Sequence, residues 1–119
     1  MLQDFQAGDF LIFQLEAAFA LLRVLDVAET DGEIVWHVAV YRDLFLDSET
    51  ADTAIDNAEN LVIEIPHAAL TTRAFESTQV GKMRNVSLKG YELTAYEAWQ
   101  ASSDRHISDR SVRLLLGLR

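Results

Sequence analysis

Residues 10–41 constrain the fold most, because their apolar residues recur with the period of a strand and their breaks have the chemistry of tight turns. Residues 34–41 alternate, with Ile34, Trp36, Val38 and Val40 on one side and Val35, His37, Ala39 and Tyr41 on the other. A pleated strand has this period of two. Glu29-Thr30-Asp31-Gly32 precedes them, and Asp-Gly supplies the positive φ that a two-residue hairpin requires. Before that turn, residues 19–27 place Phe19, Leu21, Leu25 and Val27 on one face and Leu22 and Val24 on the other. Arg23 falls on the first face, where a buried fixed charge needs a partner. Residues 10–15 follow a Gly8-Asp9 turn and are apolar on both faces, as suits a strand buried on each side. Three strands joined by short turns make an antiparallel meander.

The period then changes. Asp47 or Ser48 can cap a helix with Glu49 in its first turn, and Ala51, Ala54, Ile55 and Ala58 form a narrow apolar stripe at helical spacing. Residues 61–65 return to strand, which Pro66 is expected to end because it has no N–H for a ladder. Residues 67–80 fit either a short helix or an irregular strand, and residues 81–85 read as a basic loop. Ser87 is placed to cap a second helix carrying Leu88, Tyr91, Ala95 and Trp99, although Gly90 in its first turn costs about 1 kcal/mol relative to Ala. Residues 111–116 suit a closing strand or a short helix. The expected architecture is α+β: one domain over residues 1–119, with a strongly curved antiparallel sheet or small barrel covered by one or two helices.

Charge is divided by position. Residues 1–66 hold 14 Asp and Glu against Arg23 and Arg42, while residues 67–119 hold 8 Lys and Arg against 5 carboxylates, giving −9 for the chain. Such asymmetry points to an interaction surface. An acidic face repels nucleic acid and anionic lipid and attracts basic proteins. No cysteine is present, so disulfides, thiolate metal sites and cysteine nucleophiles are excluded. The opening residues lack the features of a signal peptide, and no apolar run approaches the ~20 residues of a membrane span, so a cytoplasmic protein is expected.

The chemical candidates are weak. His37, His67 and His106 lack metal-ligand spacing, and Glu64-x-x-His67 has Pro66 between its members, so no metal or other cofactor is expected. Residues 102–106 contain serine, aspartate and histidine, but a triad converges from separate elements and is not spelled in one loop. Residues 81–85 lack the pattern of a phosphate-binding loop, and nucleic-acid binding needs a larger basic patch. Two groups remain. Asp43, Asp47, Glu49, Asp52 and Asp56 form an acidic face for a basic partner, and Arg23, His37 and Tyr41 could share a sheet face and would then line any small-molecule pocket.

The opening Gly8-Asp9-Phe10-Leu11-Ile12-Phe13-Gln14-Leu15, then Phe19, then Arg23-Val24-Leu25, resembles the start of bacterial immunity proteins of the immunity protein 26 type. The Gly-Asp turn is also shared with SH3-like barrels. The likeness spans residues 8–25 and departs from the family at Gln14, where a proline is usual, and in a first hairpin without glycine. It implies a non-enzymatic protein that binds and blocks a toxin.

The expectation is therefore a binding protein, not an enzyme, that engages a basic protein through its acidic surface. One alternative is a ligand-binding or enzymatic pocket in the curved sheet. The other is a structural module that self-associates as a homodimer, acidic segment against basic.

Overall fold

The hairpin at Asp31-Gly32 organises the molecule. Both residues have positive φ, 53° and 82°, and they join β2 (Ala18–Thr30) to β3 (Glu33–Phe45) in antiparallel register, with Thr30 opposite Glu33. In this computed structural model, which describes residues 4–117, β1 (Asp9–Leu15) pairs with the far side of β2. The outer strands are β4 (Ile63–Thr71) and β5 (Gly81–Asn85), giving an antiparallel sheet in the order β4-β3-β2-β1-β5. The order is open, with β4 and β5 as its two edges. Register breaks at Ala20/Leu22, Val24/Asp26 and Val38/Val40 act as bulges that bend the long strands. The fold is α+β.

The alternation read from the sequence sorts the two faces except at Val27, which the bulge between Val24 and Asp26 turns away from Leu25 and onto the face of Leu22 and Val24. One buries Leu11, Phe13, Leu22, Val24, Trp36, Val38 and Val40 beneath α2 (Thr72–Thr78) and α4 (Val112–Leu115), which contribute Phe75 and Val112. Trp36 stacks on Phe75 with ring centroids 4.1 Å apart. The other face is covered in two patches. Ala51 and Ile55 of α1 (Ser48–Ile55) pack on Phe10, Leu21 and Tyr41, while Tyr96 of α3 (Thr94–Ala101) packs on Leu25 and Ala39. Asp47 caps α1, its side chain accepting from the Thr50 amide. Among the described residues, no helix is long and apolar enough to cross a membrane.

Three expectations are corrected, and the choice left open at residues 111–116 is settled. Pro66 does not end its strand: β4 is an edge, and Pro66 lies in the register break between the pairs Val40–Ile65 and Val38–Ala68, where no ladder donor is required. Residues 81–85 are a strand, not a loop, because their main chain hydrogen-bonds to the edge of β1 that β2 leaves open. Ser87 caps no helix: its carbonyl accepts from Arg23, a 3₁₀ turn at Gly90–Leu93 follows, and α3 begins only at Thr94. Residues 111–116 hold a short helix, with Ser111 accepting from the Leu114 amide, and add no strand to the sheet.

The Gly8-Asp9 turn is closely fitted. Gly8 has a φ of 94°, donates to the Val24 carbonyl and accepts from the Val86 amide. A Cβ there would meet the Val86 carbonyl oxygen at 2.9 Å. Gly8→Ala is expected to destabilise the fold by about 1 kcal/mol through left-handed strain, with further loss from this contact. A lowered urea midpoint at unchanged m-value would show it; an unchanged midpoint would mean the turn relaxes freely.

Candidate functional site

The acidic segment runs from the end of β3 through α1. Because α1 buries only Ala51 and Ile55, its polar residues face outward. The five carboxylates predicted for partner binding are not equivalent. Asp43 accepts from the Val62 amide at 2.7 Å, tying the end of β3 to the approach of β4. Asp47 is the helix cap, and the Thr50 hydroxyl and amide hold its carboxyl below the usual carboxylate range. Asp52 and Asp56 both pair with Arg84 of β5, at 3.2 and 2.9 Å. Only Glu49 makes no side-chain contact of this kind among the described residues. Beside these groups, Leu46 is 85% exposed and Leu44 56% exposed, and Phe45, Asp47, Glu49 and Thr53 line a shallow open depression.

Arg23, His37 and Tyr41 do share one face of the sheet, but only two of them meet a common cleft. Arg23 is 2% exposed and sits 4.1 Å over the Phe10 ring. All five of its N–H groups are engaged. Nε and Nη2 donate to the Glu92 carboxylate at 2.9 and 3.1 Å, Nη1 donates to the Gly8 and Val86 carbonyls at 2.6 and 2.8 Å, and Nη2 also reaches Ser87 O at 3.3 Å. Burial alone would raise the Glu92 carboxyl, but hydrogen bonds from Arg23 and the Lys89 amide outweigh it and hold the group below its ordinary value. Arg23 is thus a strut between the sheet and residues 86–92. Tyr41 has the opposite character. It is 5% exposed, and its hydroxyl has no hydrogen-bond partner among the described residues. Burial pushes its phenol well above the ordinary value, so it remains a donor. Arg23 and Tyr41 both line a cleft of about 230 Å³ between residues 55–63 and 86–92.

No family model, curated protein or solved structure matches this chain. Its functional reading therefore rests on the geometry of its own residues.

The pairing of His37 with a second histidine has no local signal in the sequence. His37 Nδ1 lies 2.9 Å from Nε2 of His67, 30 residues away. The two rings stack at 5.2 Å, with Tyr96 at 4.3 Å and Trp99 at 4.8 Å from His37. Tyr96 donates to Asp26 at 2.6 Å. Burial lowers both histidines; nearby Asp26 partly opposes this at His37, and the His37 ring adds to it at His67, which is brought down to about 4. The bond needs one donor and one acceptor, so at least one ring must be neutral, and burial favours the neutral form of both. His67 also lines a second cleft with Trp99, Ser108 and His106. The inward face of His37 was readable from alternation, but its partner was not, because β4 follows a 17-residue excursion and a bulge.

The rejected motifs fall where local structure explains them. Glu64 pairs with Arg42 at 2.8 Å while His67 turns to His37, so the two do not converge. Ser102 accepts from the Asp104 amide and the His106 carbonyl accepts from Trp99, which makes that loop a turn. Among the described residues, no three histidine, aspartate or glutamate side chains are grouped as metal ligands would be.

Proposed function

We propose that this chain is a non-enzymatic binding protein that engages a basic protein partner at the corner between β3 and α1. The observation that carries the reading is the exposure of Leu46, 85%, beside Asp43, Asp47 and Glu49. Protein interfaces combine an apolar anchor that is desolvated on binding with a charged rim that steers the encounter. Arg84 already compensates Asp52 and Asp56, so the attraction concentrates on the first turn of α1. The resemblance of residues 8–25 to immunity proteins makes a toxin the first partner to try.

The discriminating variant removes the anchor and the uncommitted carboxylate, Leu46→Ser with Glu49→Gln. It spares the Asp47 cap and both Arg84 pairs, so the thermal midpoint should stay within about 2 °C of wild type. The complex with a basic partner, retained on the immobilised chain and then purified, should weaken about 10-fold or more, chiefly for loss of the anchor. Its association rate should also lose part of its salt dependence. Equal affinity and equal salt dependence for wild type and variant would remove this corner from the function.

A further inference from the structure

The cleft between residues 55–63 and 86–92 has a chemistry that protein binding does not use. Its volume, about 230 Å³, corresponds to about eight water volumes, the size of a single amino acid and not of a nucleotide or peptide. Ile55, Leu61 and Ile63 make it partly apolar, with Phe10 fully buried behind them. Tyr41 lines it, and the hydroxyl of this otherwise buried side chain has no partner among the described residues. No fully shielded side-chain polar atom of the described residues lacks a partner, so the Tyr41 oxygen reaches solvent, and the cleft is its outlet.

Charge in the cleft is also divided. Glu59 enters from residues 55–63 and Lys89 from residues 86–92. Neither makes an ion pair among the described residues, whereas Asp56 is taken by Arg84 and Glu92 by Arg23. Arg23, with every N–H engaged, contributes no donor to a ligand. A cleft of this size with one uncommitted carboxylate, one uncommitted ammonium, a phenol donor and an apolar lining matches a small zwitterion.

We propose that this cleft binds a free apolar α-amino acid, its carboxylate toward Lys89 and Tyr41, its ammonium toward Glu59 and its side chain against Ile55, Leu61 and Ile63. Both charged groups of the ligand contribute, because the site offers one free counter-charge for each. The inference is independent of the partner at the β3–α1 corner.

Isothermal titration of the full chain with three probes tests it: L-leucine, 4-methylpentanoate, which lacks the amine, and 3-methylbutylamine, which lacks the carboxylate. Leucine should bind saturably with a Kd in the range of ~10 μM to 1 mM. Each truncated probe should bind about 10-fold more weakly or worse, as loss of a hydrogen bond to a charged group implies. Tyr41→Phe should weaken leucine about 5-fold. Glu59→Gln with Lys89→Gln should abolish the preference for leucine over both truncated probes. This pair alters side chains without ion-pair roles, and its thermal midpoint verifies folding. Three results would overturn the proposal: no saturable binding of leucine at about 10 mM, 4-methylpentanoate binding as tightly as leucine, or undiminished leucine preference in the folded double variant.

Discussion

Arg23→Met should destabilise the protein by about 3–5 kcal/mol, enough to consume much of the stability of a domain this size. Three losses combine. The Glu92 carboxylate, its side chain only 12% exposed, is left without its cation. The Gly8 and Val86 carbonyls lose a buried donor, and the guanidinium no longer covers the Phe10 ring. Arg23→Lys should recover little, because an ammonium cannot reproduce a planar fork that donates to a carboxylate and three carbonyls together. The decisive measurement is a double-mutant cycle with Glu92→Leu. Removing both charges should cost clearly less than the sum of the single losses, since the unpaired carboxylate is then gone. Additive single and double effects would show that the ion pair is not what the fold depends on.

Acid should weaken the fold through the two histidines before the carboxylates titrate. In the unfolded chain a histidine takes up a proton near pH 6.5, whereas folded His67 does so only at about 4. Between these values the unfolded state binds more protons, so stability falls as pH falls; above about pH 7 the linkage vanishes. The full difference corresponds to roughly 3 kcal/mol for His67. Solvent screening at a half-buried ring reduces this to about 2 kcal/mol. His37, displaced in the same direction, adds to the slope, and the Asp26 carboxylate near it subtracts. Glu92, whose pKa is depressed, loses its contribution only at still lower pH, below its ordinary carboxylate range. Urea midpoints at pH 7.5 and about 5 therefore isolate the histidine contribution. His67→Asn should flatten that difference to less than half. A slope unchanged by this substitution would show that the His37–His67 contact does not set the acid response.

Much of the fold was legible because its signals are local. The alternation at residues 34–41, the hairpin at Asp31-Gly32, the Gly8-Asp9 turn and the Asp47 cap each involve groups within a few residues of one another. Arg23 was legible as a problem: a fixed charge in an apolar strand that required a partner. Which carboxylate would answer it was not, because Glu92 lies 69 residues away in a turn with no apolar period. The role of residues 81–85 was hidden for a related reason. An edge strand held mainly by main-chain hydrogen bonds needs no apolar face, so its side chains gave the appearance of a loop.

The candidate sites divide the same way. The sequence by itself determined which residues carry charge and where the strands alternate, and it offered Arg23, His37 and Tyr41 as candidates for a shared face. Only the tertiary structure decided that Arg84 claims two of the five acidic residues, that His37 finds His67, and that Tyr41 opens into a cleft beside Glu59 and Lys89. The periodicity of a strand assigns its faces from neighbouring residues alone. Its register against a distant strand depends on bulges and on the length of the intervening chain, and those are settled when the faces pack.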